Sequence, residues 1–143
     1  MKVKKIAKIA GGQDGAIYGS LLFRLTHAGK CFVYDLTALN GEGEETPLAT
    51  FTLGMADKLT PHSNAVFFGS ERYAPEDEFP ILYSNVYNNR ASFEDKMLGT
   101  LLAYRILRCD GGFSATPVQL IRIGFCEDPA LWRARPEAHG VRP

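Results

Sequence analysis

The sequence lacks the features that mark several specialised classes of protein. Its 16 lysines and arginines balance 16 aspartates and glutamates, so it has no net charge. A balanced chain has no broad positive field to attract nucleic acid or an acidic membrane surface. No stretch approaches the roughly 18 uninterrupted apolar residues of a membrane-spanning helix. We therefore predict neither a nucleic-acid partner nor a membrane partner.

Cysteine is scarce, and its spacing is uninformative. Cys31, Cys109 and Cys126 are odd in number and form neither a CxxC pair nor a His-paired zinc pattern. No secretory signal is recognisable in the first ten residues. The sequence therefore predicts a cytoplasmic protein with ordinary thiols, no metal and no cofactor.

The chain contains a partial copy of itself, displaced by seventy residues. Residues 33–36 (VYDL) correspond to 103–106 (AYRI), and residues 46–48 (TPL) correspond to 116–118 (TPV). Upstream, Tyr18-Gly19-Ser20 matches Phe68-Gly69-Ser70 at a displacement of fifty, so the second copy carries an insertion. Repeats of this size with about four strands each are typical of propeller blades.

Short apolar segments separated by turn residues predict four strands in each copy. They cover residues 15–18, 21–26, 32–36 and 48–53, and then residues 65–68, 80–87, 100–107 and 118–123. Several are apolar almost throughout, which is typical of sheets covered on both faces. Asp128-Pro129 is a helix-start pattern and predicts a short helix near the C-terminus.

We therefore predict an all-β protein of two four-stranded antiparallel propeller-type blades with a short C-terminal helix. The chain forms a single domain, 1–143. Blade 1 covers about 13–54, blade 2 about 62–124 and the helix about 128–134, with residues 3–9 as an extra outer strand. A third blade is expected near Val141 and does not begin, so the chain is either a fragment or part of a ring completed by other copies.

The segments 13–19 (QDGAIYG), 61–69 (PHSNAVFFG) and 79–89 (FPILYSNVYNN) resemble a bacterial β-propeller family of uncharacterised function, of the WD40-like or seven-bladed type. The resemblance covers residues from about 10 to 133 and includes no catalytic signature. The chain departs from such families in having no Trp-Asp dipeptide at the end of a blade and only two blades. The resemblance implies a partial propeller.

Polar side chains collect where the inner strands begin and the second strands end, which is one mouth of the predicted channel. Aligned through the Gly-Ser turns, Asp14 matches Asn64, so equivalent positions would form a polar ring. The predicted ligand-binding residues are Gln13, Asp14, His62, Asn64, Asn85, Tyr87, Asn88, Asn89 and Arg90. Amides and aromatic rings of this kind suit a small carbohydrate-like ligand, whereas the alternative is that they only satisfy exposed backbone groups.

Two functions remain open from the sequence. The first is a non-enzymatic binding or scaffold module that completes a ring by self-association or with further blades; three copies would give six blades. The second is a hydrolase or lyase acting on a carbohydrate-like substrate at the channel mouth, with Asp14, His62 and Asn64 as the working groups. The acidic run at residues 71–78 is predicted to be solvated, or to serve as a partner surface.

Overall fold

The computed structural model describes residues 7–59, 61–86 and 99–122, and almost all of its regular structure is β. Its elements, in chain order, are β1 (Asp14–Tyr18), β2 (Leu21–Leu25), β3 (Lys30–Asp35), β4 (Ala49–Thr52), α1 (Ala56–Leu59), β5 (Pro61–Phe68), β6 (Leu82–Val86), β7 (Thr100–Cys109) and β8 (Gly112–Arg122).

The strands form two four-stranded sheets, each antiparallel and each in chain order. Sheet 1 is β1-β2-β3-β4 and sheet 2 is β5-β6-β7-β8. The predicted all-β fold of two four-stranded antiparallel sheets is therefore confirmed. The predicted C-terminal helix at 128–134 lies outside the described residues, and the short helix that the structure does contain, α1, links the two sheets.

The last strand starts earlier than its sequence pattern predicts. The pattern predicts a start at Val118, but β8 begins at Gly112, which pairs with Cys109 at the end of β7. Asp110-Gly111 makes the connection, with Gly111 at a φ of 78°. Asp-Gly is a favoured pair for two-residue hairpins because such turns require positive φ. The tight turn therefore lengthens the β7–β8 ribbon by six residues.

The two sheets lie face to face with corresponding strands side by side. The start of β1 contacts β5 through Asp14 and Val66, and the end of β1 contacts it through the Tyr18 and Phe68 rings, 5.7 Å apart. On the other edge, β4 lies beside β8, and the Gly54 amide donates to the Ala115 carbonyl at 2.9 Å. Contacts at both ends follow the same chain direction, so β1 runs parallel to β5.

The core lies between the sheets and is centred on Phe23, which is fully buried. Its ring makes edge-on contacts with Phe68, Phe79 and Phe113, with centroids 5.3 to 5.5 Å apart. Edge-to-face packing at these distances is the favoured arrangement of aromatic pairs. Because successive side chains on a strand point to opposite faces, Phe23 faces sheet 2 and its neighbour Leu22 faces away from it.

Within one chain, the other sheet covers only one face of each sheet. The sides that face away from the other sheet are called here the outer face of sheet 1 and the outer face of sheet 2. Ile17 on the first is 58% exposed and Phe67 on the second is 47% exposed. The outer face of sheet 1 is covered in part by the segment before β1, where the Ala10 amide donates to the buried Tyr34 hydroxyl. In the same segment Lys8 forms a bridge with Glu44, at the place of the predicted extra strand.

Candidate functional site

Five of the predicted site residues come to the same end of the two sheets. The start of β1 lies beside β5, and β6 ends beside the start of β5 because these two strands are antiparallel. The residues at this end are Gln13, Asp14, His62, Asn64 and Asn85. The remaining four, Tyr87, Asn88, Asn89 and Arg90, lie outside the described residues.

Asp14 joins the two sheets. Its Oδ2 accepts a hydrogen bond from the backbone amide of Val66 at 2.8 Å, and its side chain is half-buried. A carboxylate that accepts from a backbone amide makes a charge-assisted bond, which is stronger than a neutral one. The contact therefore fixes the start of β1 against the middle of β5.

Asn85 holds an irregular part of β5. The register between β5 and β6 shifts between Pro61 and Val66, and the intervening residues have no ladder partners. Asn85 Oδ1 accepts from the backbone amides of Asn64 and Ala65, both at 3.0 Å. A bulge leaves backbone donors without strand partners, and these donors need other acceptors. The Asn85 amide oxygen is the acceptor for two of these donors, the amides of Asn64 and Ala65.

The same irregularity contains a buried pair of serines. Ser63 has a φ of 52°, which is uncommon for a residue with a side chain. It is fully buried, and its hydroxyl accepts a hydrogen bond from the hydroxyl of Ser84 at 3.0 Å. Ser84 is not among the residues predicted from the sequence. Its signal is a polar residue at an inward position of β6, between the buried Leu82 and Val86.

Two of the other candidates are more accessible than Asp14 and Asn85. Gln13 and Asn64 are exposed, and the backbone amide of Gln13 donates to the Leu25 carbonyl at 2.8 Å. His62 is half-buried beside the buried Ser63. The described end of the sheets therefore combines two exposed amides and a half-buried imidazole with two acceptors, Asp14 and Asn85, that are already bonded to backbone amides.

One residue of the acidic run at the opposite end differs from its prediction, whereas Glu71, Glu76 and Glu78 are exposed as predicted. Asp77 is buried rather than solvated, and its carboxylate receives a double hydrogen bond from the Arg105 guanidinium, the shortest contact being 2.6 Å. Bonding to Arg105 holds the pKa of Asp77 below its usual range. Glu78 pairs with Arg108 in the same way. These two acids fasten the β5–β6 connection onto β7.

The described residues of the candidate site offer hydrogen-bonding groups. In residues 7–59, 61–86 and 99–122, no group of three His, Cys, Asp or Glu side chains lies close enough together to hold a metal ion. Over the same described ranges, no helix is both long and apolar enough to cross a membrane.

Comparison of the chain with protein-family models, with curated proteins and with solved structures found no match. The resemblance to propeller families therefore stays a prediction from the sequence.

Proposed function

We propose that the chain is a non-enzymatic binding or scaffold module whose sheets associate with further sheets of the same kind, as propeller blades do. The observation that carries the proposal is the way the two sheets stack. They have the same strand order, and β1 runs beside β5 in the same direction, as β4 does beside β8.

This kind of stacking can continue, whereas a two-fold pairing cannot. Two sheets with the same order and direction are related by a rotation that does not turn one of them over. One side of sheet 1 therefore meets the opposite side of sheet 2, which is a head-to-tail contact. The outer faces of such a pair are the two halves of a further contact of the same type. Closed rings of sheets stacked in this way are propellers.

The strand registers support the repeat on which this proposal rests. In sheet 1 Val33 lies opposite Ala49, and in sheet 2 Ala103 lies opposite Gln119. Each residue of the second pair follows its counterpart by seventy positions, the displacement read from the sequence. Two further pairs of the third and fourth strands, Phe32↔Thr50 with Leu102↔Leu120 and Cys31↔Phe51 with Leu101↔Ile121, match in the same way.

The two corresponding tyrosines, Tyr34 and Tyr104, support the head-to-tail relation. Tyr34 lies on the outer face of sheet 1, whereas Tyr104 lies in the core between the sheets. They follow the displacement of seventy and occupy the same row of their sheets, since each lies opposite a leucine of the second strand. If the sheets were paired by a two-fold axis, both tyrosines would face the same way relative to the core.

The hydrogen bonds at the candidate site favour a structural role over catalysis. Asp14 is the one carboxylate among the working groups predicted for a hydrolase or lyase, and it is bonded to the backbone of β5, as is the neighbouring Asn85. These contacts account for the two side chains without a substrate. We therefore propose no second function.

The test is the mass of the purified chain in solution, measured by light scattering over a wide range of concentration. We expect assemblies of several copies, and three copies, at three times the 15.8 kDa of one chain, would supply six sheets. A well-folded protein with the mass of a single chain at every concentration would contradict self-association.

A further inference from the structure

The geometry points to one specific interface: the outer face of sheet 2 binds the outer face of sheet 1 of a second copy. This inference rests on the proposed function and deepens it by naming the surfaces and the partner. Phe67 and Tyr83 lie at the centre of the first surface, and Ile17 and Leu22 at the centre of the second.

Both surfaces expose large apolar side chains next to one another. Phe67 lies opposite Tyr83, and their rings stack with centroids 5.1 Å apart and planes at 19°. Ile17 lies opposite Leu22 and is more than half exposed. Neighbouring exposed apolar groups of this size, unlike scattered single ones, mark interaction surfaces.

The internal contact between the sheets identifies what fits these surfaces. Sheet 1 meets the core with a row that runs Ala16, Phe23, Val33, Ala49 across its four strands. The row in the corresponding position of sheet 2 is Phe67, Tyr83, Ala103, Gln119, and it lies on the outer face.

The complementary half of the contact follows the same rule. Sheet 2 meets the core with the row Phe68, Leu82, Tyr104. The corresponding row of sheet 1 is Ile17, Leu22, Tyr34, on its outer face. Tyr34 is already buried and bonded to the segment before β1, so Ile17 and Leu22 are the accessible part of this row. Each chain therefore carries both halves of a second sheet-to-sheet contact, one on each sheet, and a second copy is the partner that supplies the missing half.

A contact between two different surfaces has a signature that a symmetric contact does not have. A copy with a blocked sheet 1 still offers sheet 2, and a copy with a blocked sheet 2 still offers sheet 1. A mixture of the two variants therefore forms a dimer through one functional interface, and the dimer cannot bind a further copy. A self-complementary interface would instead leave one of the two variants able to pair with itself.

The experiment therefore uses Ile17→Glu, Phe67→Glu and their equimolar mixture, with the mass measured by light scattering. Met55→Glu is the matched control, because Met55 is 45% exposed and lies in the connection between the sheets. We expect the wild type and Met55→Glu to assemble, each of the other two to remain a single chain, and their mixture to form a dimer of one copy of each.

The outcomes separate the interface from the function. A wild type that stays a single chain overturns both self-association and the interface. A wild type that assembles while the mixture remains single chains, or while either variant still self-associates, overturns the interface alone. A glutamate variant that loses thermal stability but still assembles would mean that the chain itself covers that face. This result would also overturn the interface.

A second measurement applies if the glutamate variants do not fold. Ile17→Cys and Phe67→Cys are prepared separately with Cys109 and Cys126 replaced by serine, and each is oxidised alone and in mixture. Disulfide-linked dimers in the mixture, and far fewer in either variant alone, are expected. Equal cross-linking in the separate samples would overturn the interface.

Discussion

The Tyr34 and Tyr104 hydroxyls provide the most direct test of the packing described above. The two residues occupy corresponding positions and both are buried, but their hydroxyls have different surroundings. Tyr34 accepts a hydrogen bond from the Ala10 amide at 3.2 Å. Within the parts of the chain that the structure describes, the Tyr104 hydroxyl has no hydrogen-bond partner. Removing each hydroxyl should therefore change stability in opposite directions.

The magnitudes follow from the cost of buried polar groups. Leaving a buried donor or acceptor without a partner costs about 1–3 kcal/mol, and a satisfied hydrogen bond contributes about 0.5–1.5 kcal/mol. Tyr104→Phe keeps the ring and removes the unpaired group, so we expect the free energy of unfolding to rise by about 1 kcal/mol. Tyr34→Phe removes a made bond, so we expect it to fall by about 1 kcal/mol.

Urea unfolding measures both changes. The chain concentration is held fixed, because association makes the apparent stability depend on concentration. With a slope of about 2 kcal/mol per molar urea, each variant should shift the midpoint by about 0.5 M in its own direction. Burial also raises the pKa of Tyr104, so its tyrosinate absorbance should appear only at strongly alkaline pH. A loss of stability in Tyr104→Phe would refute the reasoning, since it would reveal a partner for that hydroxyl.

Three further changes test the contacts that fasten the sheets. The pKa of Asp77 is lowered by Arg105, so its stabilising effect is present above about pH 4 and is lost as pH falls through the lowered value; Asp77→Asn should flatten the acid side of a melting-temperature profile, and an unchanged profile would contradict this. Gly54→Ala places a methyl group 2.7 Å from the Ala115 carbonyl oxygen and should cost about 1–3 kcal/mol in urea unfolding, so a neutral result would place β4 further from β8. Asp14→Ala should cost about 1.5 kcal/mol and Asp14→Asn less; equal losses would mean that the acceptor oxygen is not what matters.

The strands of sheet 1 were predictable because their signals are local. Apolar runs bounded by turn residues placed all four of them within two residues of their observed limits, and the Gly19-Ser20 turn was identified. Gly19 has a φ of 58°, which glycine adopts without strain. A turn that needs positive φ favours glycine, and a strand with two different faces favours alternating residues. Both requirements are local, so they are visible in the sequence regardless of tertiary contacts.

The role of Asp14 was not predictable for a physical reason. Its donor partner is the amide of Val66, 52 positions away, on the edge strand β5 of the other sheet. The burial of Asp77 depends in the same way on Arg105, which is 28 positions away. Composition predicts that acidic residues lie at the surface, whereas only the packed sheets reveal which of them have a buried partner.

The first strands of the two sheets, β1 and β5, show how a register difference of one residue changes which residues correspond. Matching the Gly-Ser turns aligns Ile17 with Phe67, but the registers place Ile17 in the row of Phe68, since each lies opposite a leucine that is followed by a tyrosine of the third strand. A shift of one residue moves every side chain to the other face. Asn64 lies in the part of β5 that has no ladder partners, so the registers give no support to a polar ring of equivalent positions.

The observed register also changes the interpretation of the exposed apolar residues Ile17 and Phe67. With the alignment through the turns, Ile17 and Phe67 would be the same position of two sheets and would call for the same neighbour. With the observed rows they belong to the two different surfaces that the proposed interface would join. A sheet with one wet face would carry polar residues at these positions. Complete burial of either side chain stabilises by about 1.5 to 3 kcal/mol, so joining the two faces would recover stabilisation that a single chain leaves unused.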